Sequence, residues 1–267
     1  MKIRQLTPSP ALRKFVKCYY YIDNPEDCVI EDTFFADGCV EAVFSIGWDF
    51  YRDGVREDRA KVIGQILTPR KLKITGKGRS FGIWFYPHTF SRFSRIPMSE
   101  FNDRVIPWDA LFPESFAEIA GNFMVDDDID QLVNATDTLL LERLSRYGEH
   151  SSDQLVDYAI NYLYQNKSTP DLNKLASSLK VTQRYLQKVF VTRVGFSQKH
   201  FARIMRFQQS LQMLTQQQSP NLTTLAYAND YYDQSHFIRE FKSFTGVAPS
   251  AFRPDRLPIN QHFITID

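Results

Sequence analysis

The chain has 267 residues, of which 43% are hydrophobic and 24% charged. This length predicts two domains, and the composition is typical of globular proteins and excludes disorder over a whole domain. No apolar run approaches the roughly 18 residues of a membrane-spanning helix, and the N-terminus has no apolar signal segment. Three unpaired cysteines, Cys18, Cys28 and Cys39, do not form a disulfide framework, so we expect a cytoplasmic protein.

The charge is distributed unevenly along the chain. Residues 1–150 contain 19 basic and 23 acidic side chains, whereas residues 171–253 contain 11 basic and 4 acidic ones. A basic C-terminal part in a nearly neutral chain indicates a surface that binds a polyanion. A basic face that is merely solvated gives the same signal, so this observation needs support from motifs.

Short runs rich in Val, Ile, Phe and Tyr recur in the first third of the chain. They are Cys18–Ile22, Val40–Ile46, Lys61–Leu67, Lys71–Thr75 and Ser80–Tyr86. Turn-forming residues separate them, at Asp37-Gly38, Asp53-Gly54 and Gly76-Lys77-Gly78. This pattern predicts an antiparallel β barrel or sandwich, cupin-like in type, as a regulatory or sensor domain over residues 1–112.

Helical patterns begin after this β-rich part. Pro113–Met124 and Asp126–Tyr147 have apolar residues near helical spacing, and together they predict a connector over residues 113–150. The longer helix either packs on its own domain or pairs with a second copy of the chain. Gly148–Asp153 is the expected linker to the next domain.

An internal repeat organises the C-terminal part. The segment from Leu172 to Phe201 is repeated from Leu222 to Phe252, with Leu175-Ala176 matching Leu225-Ala226. Each copy predicts a helix-turn-helix unit, in which the small alanine lets two helices cross. The long helix Ser197–Gln217 joins the copies. We therefore expect an all-α domain over residues 151–255 and a tail over 256–267.

The second helix of each unit has a polar, cationic face. Thr182 and Asp233 are predicted N-caps of these helices. The outward side chains are Gln183, Arg184, Gln187 and Lys188 in the first copy and Gln234, Ser235 and Arg239 in the second. Gln can pair with adenine and Arg with guanine in the major groove. If the two helices lie about one helical turn of DNA apart, ~34 Å, both can enter successive major grooves.

Residues 155–253 resemble the AraC/XylS DNA-binding domain over its whole length. The matching stretches are LASSLKVTQRYLQKVF, SQKHFARIMRF and DQSHFIREFKSFTGVAPSAFR. The resemblance implies base contacts from the two predicted recognition helices, and phosphate contacts from Thr182 and backbone amides. Three positions depart from the family pattern, with Lys180 and Asp230 where Gly is usual and Ser210 where Ala is common.

Residues 10–110 resemble a β-rich domain that precedes such DNA-binding domains in a subset of regulators. The motifs are Asp37-Gly38-Cys39 through Phe44 and Gly82 through Pro87. This resemblance implies a sensory or oligomerising role and attaches no ligand class to it.

Several single residues carry two interpretations. The cysteines are expected in the core, with thiol sensing as the alternative, and Trp48, Trp84 and Trp108 are expected in the core or around a small-molecule pocket. Strand alternation predicts an outward Glu41, with an inward carboxylate in a ligand pocket as the alternative. His88 and His150 lie too far apart for a metal site, so His88 is expected to be structural.

These observations predict a sequence-specific transcription regulator that binds double-stranded DNA and is not an enzyme, with no metal and no cofactor. A small-molecule effector, RNA polymerase and a second copy of the chain are candidate partners. The alternatives are a ligand sensor or interaction protein with a vestigial DNA-binding unit, and a small-molecule enzyme fused to a DNA-binding domain. The sequence contains no nucleotide-binding loop, nucleophile elbow or HExxH motif to support the enzyme.

Overall fold

The computed structural model describes residues 1–112, 128–147, 150–166, 170–216 and 221–262. Strands dominate as far as Pro107, and helices dominate after it. The predicted helix Pro113–Met124 lies outside the described residues, as do the first two residues of the predicted linker. The structure therefore consists of an N-terminal β part and a C-terminal helical part, as the sequence predicts.

The N-terminal strands form one antiparallel sheet. Their bounds are β1 Lys2–Leu6, β2 Val16–Phe34, β3 Val40–Ile46, β4 Asp49–Arg52, β5 Val55–Arg56, β6 Ala60–Ile63, β7 Arg70–Phe85 and β8 Val105–Pro107. The pairing order is β1-β2-β7-β3-β6-β8, and β4 pairs with both β5 and β7. This arrangement confirms the antiparallel β prediction. The Asp53-Gly54 turn joins β4 to β5, with both residues at positive φ.

The strand β7 differs from the sequence prediction. Lys71–Thr75 and Ser80–Tyr86 were expected to be two strands separated by a turn at Gly76–Gly78, but β7 runs through all three segments. The reason is its neighbour, because β2 pairs with it from Phe34↔Arg70 to Val16↔Phe85. A register shift between Asn24 and Cys28 lies opposite the glycines. The glycines therefore bend the strand instead of ending it.

The bent sheet buries both of its faces. Tyr19 and Tyr21 point into one hydrophobic core, which also holds Trp108. Tyr20 and Ile22 point the opposite way, into an interior core. That core collects Val43 from one half of the sheet and Leu72 from the other, so the sheet curls around it.

The outer face of the sheet is covered by a helix. Helix α1 spans Trp108–Leu111 and helix α2 spans Ile129–Tyr147. Leu132, Leu139 and Leu140 of α2 pack into the outer core. The buried Asp137 carboxylate accepts hydrogen bonds from the Tyr19 hydroxyl at 2.5 Å and from the Ser9 amide at 3.0 Å. The apolar side of α2 thus packs on its own domain, and the dimerisation role stays a prediction.

The C-terminal part is a helical domain with a single core. Its helices are α3 Asp153–Gln165, α4 Leu172–Ser178, α5 Gln183–Val194, α6 Gln198–Gln216, α7 Leu222–Ala228 and α8 Gln234–Thr245. The long helix α6 contributes Phe201, Ile204, Phe207 and Leu211 to a core shared with residues before and after it. The two copies of the sequence repeat are therefore packed as one body around α6.

The two domains contact one another directly. The Phe35 ring lies 6.0 Å from the ring of Phe207 on α6, edge to face. The Gln208 amide donates to the Ala36 carbonyl at 2.5 Å. At the end of α5, Asn102 donates to the Gly195 carbonyl at 2.7 Å. A Cβ at Gly195 would lie 2.2 Å from the Gln65 side-chain oxygen, so this close approach requires glycine.

The chain returns to the N-terminal domain after the last helix. The Asp32 carboxylate accepts hydrogen bonds from the backbone amides of Ile259 at 2.7 Å and Asn260 at 2.9 Å. Asn260 also donates to the Thr33 carbonyl at 2.7 Å. These hydrogen bonds hold the chain in place where the buried Ile259 side chain packs into the interior core of the sheet. The tail is therefore an integral part of the N-terminal domain.

Candidate nucleic-acid interface

The first copy of the repeat is a helix-turn-helix formed by α4 and α5. The Asp171 side chain caps α4, and Thr182 caps α5 by accepting a hydrogen bond from the Tyr185 amide at 3.2 Å. Between them the Val181 amide donates to the Ala176 carbonyl at 3.1 Å, which closes a tight turn. Lys180 occupies this turn with φ at +53°.

The second copy, formed by α7 and α8, repeats this backbone geometry. Asn221 caps α7, and Asp233 caps α8 by accepting from the His236 amide at 2.6 Å. The Tyr231 amide donates to the Ala226 carbonyl at 3.0 Å, and Asp230 has φ at +57°. The internal repeat in the sequence is therefore a repeat in three dimensions. Lys180 and Asp230, which replace the usual glycines, adopt the left-handed conformation that favours glycine.

The predicted DNA-binding side chains of α5 all face solvent. Gln183, Arg184, Gln187 and Lys188 are exposed, as is the cap residue Thr182. On α8, Ser235 and Arg239 are exposed, and Asp233 and Gln234 are half-buried. The hydroxyl of Thr223 on α7 donates to the Gln234 side-chain oxygen at 2.7 Å. The structure thus leaves both predicted reading faces open.

The exposed faces of the two helices carry no free negative charge. Helix α5 contains no acidic residue, and Glu240 is the single acid of α8. The Glu240 side chain is only 4% exposed and lies between two arginines of α6. The faces of both helices present cations and amides, with the Asp233 carboxylate beside them at the N-cap of α8, and this balance of charge suits a polyanion.

Glu240 also fixes the second recognition helix to α6. Its carboxylate accepts from Arg203 Nε at 2.8 Å and from Arg206 Nη2 at 2.8 Å. The Arg206 guanidinium stacks over the Tyr231 ring at 4.6 Å. Burial alone raises the pKa of Glu240, but the hydrogen bonds from the two arginines outweigh it and hold the pKa below its ordinary value of 4.5. The charge network orients α8 relative to α6.

Two family models match the chain. Residues 175–255 match a helix-turn-helix domain, and residues 4–107 match a domain of unknown function (DUF6597). The C-terminal domain is an AraC-type helix-turn-helix domain. No protein with a curated function matches the chain.

Solved structures of regulators resemble the chain at low sequence identity. ToxT from Vibrio cholerae O395 is 12% identical, with a TM-score of 0.44, and the match covers 86% of this chain and 95% of ToxT. The C-terminal domain of AraT, a response regulator from Geobacillus stearothermophilus, is 27% identical with a TM-score of 0.35; that match covers 39% of this chain and 86% of the AraT domain. In the described part of the present chain, no helix is long and apolar enough to span a membrane.

Glu41 is half-buried against the interior of the N-terminal domain, which matches the inward alternative and not the outward orientation that strand alternation predicts. Alternation places the Glu41 side chain on one face of β3 and the side chains of Ala42 and Phe44 on the other. Core residues cover both faces of the sheet. The Glu41 carboxylate lines a cavity of about 30 Å³, together with Tyr20, Trp48 and the tail residue Ile259. Burial, reinforced by the nearby Asp37 carboxylate, raises the pKa of Glu41 to about 7.

Further charges line the same cavity. Glu57 pairs with Arg52 at 2.5 Å and with Lys61 at 2.8 Å, and Lys61 is only 1% exposed. The Lys61 ammonium lies 4.1 Å from the centre of the Phe50 ring. Buried ionisable clusters mark candidate functional sites, but a cavity of this volume holds about one water molecule. The sequence analysis did not identify Arg52, Glu57 or Lys61 as site residues. The one signal was Lys61 itself, a lysine at the start of an otherwise apolar run.

The three tryptophans and two of the three cysteines lie where the core interpretation places them. Trp48, Trp84 and Trp108 are buried, and Cys18 and Cys39 are buried free thiols beside Trp84. Burial raises the pKa of Cys18 to about 12, which disfavours the reactive thiolate. Cys28 is half-buried.

His88 is half-buried between the two domains. Burial lowers its pKa to about 4, although Asp157 lies 3.6 Å away. His88 is therefore neutral at physiological pH. Within the described residues, no group of three His, Cys, Asp or Glu side chains is placed to hold a metal ion.

Proposed function

We propose that this chain is a sequence-specific transcription regulator that reads double-stranded DNA through α5 and α8. The base-contacting residues are Arg184, Gln187 and Lys188 on α5 and Gln234, Ser235 and Arg239 on α8. Thr182 and Gln183 lie at the N-terminus of α5, where backbone amides and polar side chains contact phosphates, and Asp233 caps α8 and orients the backbone amides at its N-terminus.

The observation that carries this proposal is the pair of open reading faces on one packed body. Both faces present amide and cationic side chains, which can pair with adenine and guanine in the major groove. Because α6 packs into one core with both helix-turn-helix units, the two helices cannot reorient independently. A single chain can then read an asymmetric site that spans two successive grooves.

The N-terminal domain supplies the regulation in this proposal. It contacts α6 through Phe35 and Ala36 and contacts the end of α5 through Asn102. A small molecule that binds the N-terminal domain would shift the DNA-binding equilibrium only if its affinity differs between two arrangements of the domains. A second copy of the chain and RNA polymerase remain candidate partners.

The proposal is tested by selecting binding sites for the full-length chain from a random-sequence duplex library. We expect a defined site to be enriched and to bind far more tightly than a scrambled duplex of the same length. Arg184→Ala and Arg239→Ala should each relax the preference at different positions of that site, at a cost of about 1–3 kcal/mol.

The matched control is Arg59→Ala, which removes an exposed arginine on the β4–β6 side of the N-terminal domain. This variant should bind the selected site like the wild-type chain. If no sequence is enriched, or if Arg184→Ala and Arg239→Ala behave like the control, the alternative holds, namely a sensor or interaction protein with a vestigial DNA-binding unit.

A further inference from the structure

A cleft separates the first recognition helix from the N-terminal domain. Its volume is about 460 Å³. One wall is formed by α5, and the other by Ser91–Arg95 of the N-terminal domain together with residues near the end of α2 and the start of α3. We call it the interdomain cleft. It opens beside the reading face of α5, since Lys188 belongs to both.

The lining of the interdomain cleft is cationic. Arg92, Arg95, Lys188 and Arg193 all contribute to it, and no acidic residue does so within the described part of the chain. Arg92 pairs with Asp157 at 2.6 Å, and Arg193 pairs with Asp153. Across the described ranges, neither Arg95 nor Lys188 forms an ion pair with a carboxylate, so both charges are available to a ligand.

The position of the cleft on the helix indicates what this ligand is. Arg184, Gln187 and Lys188 form one stripe along α5, since helical residues three and four apart are neighbours. Tyr185, Val189 and Thr192 form the adjacent stripe and line the cleft. A helix seated in the major groove, about 12 Å wide, has a phosphate backbone along its sides. The cleft therefore faces the DNA backbone when the first stripe faces the bases.

Arg95 is held in this position by the end of helix α2. It is exposed, and its guanidinium stacks on the ring of Tyr147 at 5.2 Å. The hydrogen bond from Asn102 to the Gly195 carbonyl fixes the N-terminal domain to the end of the recognition helix. The distance between Arg95 and the reading face therefore depends on how the domains are docked.

We propose that the interdomain cleft binds the DNA phosphate backbone beside the first recognition helix, with Arg95 as the contact from the N-terminal domain. The regulatory domain is then part of the DNA-binding surface. A change in domain docking alters DNA affinity directly, by withdrawing this charge. The inference rests on the proposed function.

The test compares full-length Arg95→Ala and Arg95→Glu with the wild-type chain, using the selected duplex and a scrambled duplex between 50 and 200 mM KCl. A phosphate contact carries no sequence information, so Arg95→Ala should weaken binding to both duplexes by the same factor. The slope of log Kd against log salt should fall by about 0.9, the value for one neutralised phosphate. Arg95→Glu should weaken binding further.

Arg59→Ala is the matched control, because it removes the same charge from another exposed position of the N-terminal domain. If Arg95→Ala has the affinity and salt slope of Arg59→Ala, the inference is wrong even though the wild-type chain still selects its site. Failure of the proposed function is distinct, because it is seen in the wild-type chain before any variant is compared. Because the side chain of Arg95 is exposed, both Arg95 variants should melt at the wild-type temperature. Unchanged thermal melting then excludes misfolding as the cause of weaker binding.

A second measurement places the contact on the DNA. Fe–EDTA attached to Ser94→Cys, in a Cys28→Ser background, generates hydroxyl radicals in the cleft. Cys18 and Cys39 are buried and resist labelling. We expect backbone cleavage confined to one flank of the half-site that α5 reads. Cleavage that is uniform or absent, with binding intact, would overturn the inference.

Discussion

Substitution of Glu240 tests whether buried charge holds the second recognition helix in place. In Glu240→Ala the Arg206 guanidinium, which is 12% exposed, loses both of its carboxylate contacts and stays largely buried. Breaking a buried ion pair in this way costs about 3–5 kcal/mol. Arg203 is 43% exposed, so water replaces its partner and its pair contributes under about 1 kcal/mol. We therefore expect Glu240→Ala to lower the free energy of unfolding by about 3–4 kcal/mol.

The assay is urea denaturation followed by circular dichroism at 222 nm, which reports the helices. Fluorescence would miss the effect, because all three tryptophans lie in the N-terminal domain. Glu240→Gln keeps an acceptor oxygen and should lose about half as much stability. Glu100→Ala removes an exposed partner of Arg104 and serves as the control, with an expected change near zero.

The pH dependence checks the same pair. The pKa of Glu240 is lowered in the folded state, so its stabilisation is present above its ordinary pKa of 4.5 and is lost as pH falls through the folded value. The gap between wild type and Glu240→Gln should therefore close in acid. The reasoning is refuted if both variants lose less than about 1 kcal/mol of unfolding free energy. It is also refuted if the difference in stability between wild type and Glu240→Gln does not depend on pH.

Three further substitutions, one of them with a control, have defined outcomes. Lys180→Gly should raise the free energy of unfolding measured in urea by up to about 1 kcal/mol, because glycine removes the strain of positive φ; Lys174→Gly, inside α4, should lower it by a similar amount. Glu41→Gln should melt at a higher temperature than wild type above pH 7, because the raised pKa of Glu41 means that its ionisation opposes folding. The melting temperatures of the two proteins should converge near pH 4.5, where the carboxyl group is protonated in the folded state. Ile259→Ala should destabilise the N-terminal domain by about 2 kcal/mol or more, measured by tryptophan fluorescence in urea.

The C-terminal domain was predictable because its signals are local. Alanines at crossing points, N-caps and terminal glycines act within a few residues of their own position, and the repeat presents them twice. The same local reasoning identified Lys180 and Asp230 as departures in the turns, and both have positive φ. Exposure of the reading faces followed from helical periodicity alone.

The interior of the N-terminal domain was less predictable because its contacts are distant in the sequence. Alternation correctly placed Glu41 opposite Ala42, but it could not tell that both faces of the sheet are covered. The contact between Asp32 and Ile259 joins residues 227 apart, and no local pattern encodes it. Likewise, the glycines of β7 signal a break unless the long partner strand β2 is known.

The position of Ile259 in the interior core has a consequence for how the protein folds during synthesis. The interior core of the N-terminal domain contains strands from the start of the chain and a side chain supplied more than 170 residues after its last core strand. Domains usually fold in order as they leave the ribosome. Here the first domain to be synthesised stays unfinished until residue 259 has emerged. The helical domain is completed at nearly the same point, because its core includes Phe252 and Leu257. Completion of the first domain thus coincides with completion of the second and does not precede it.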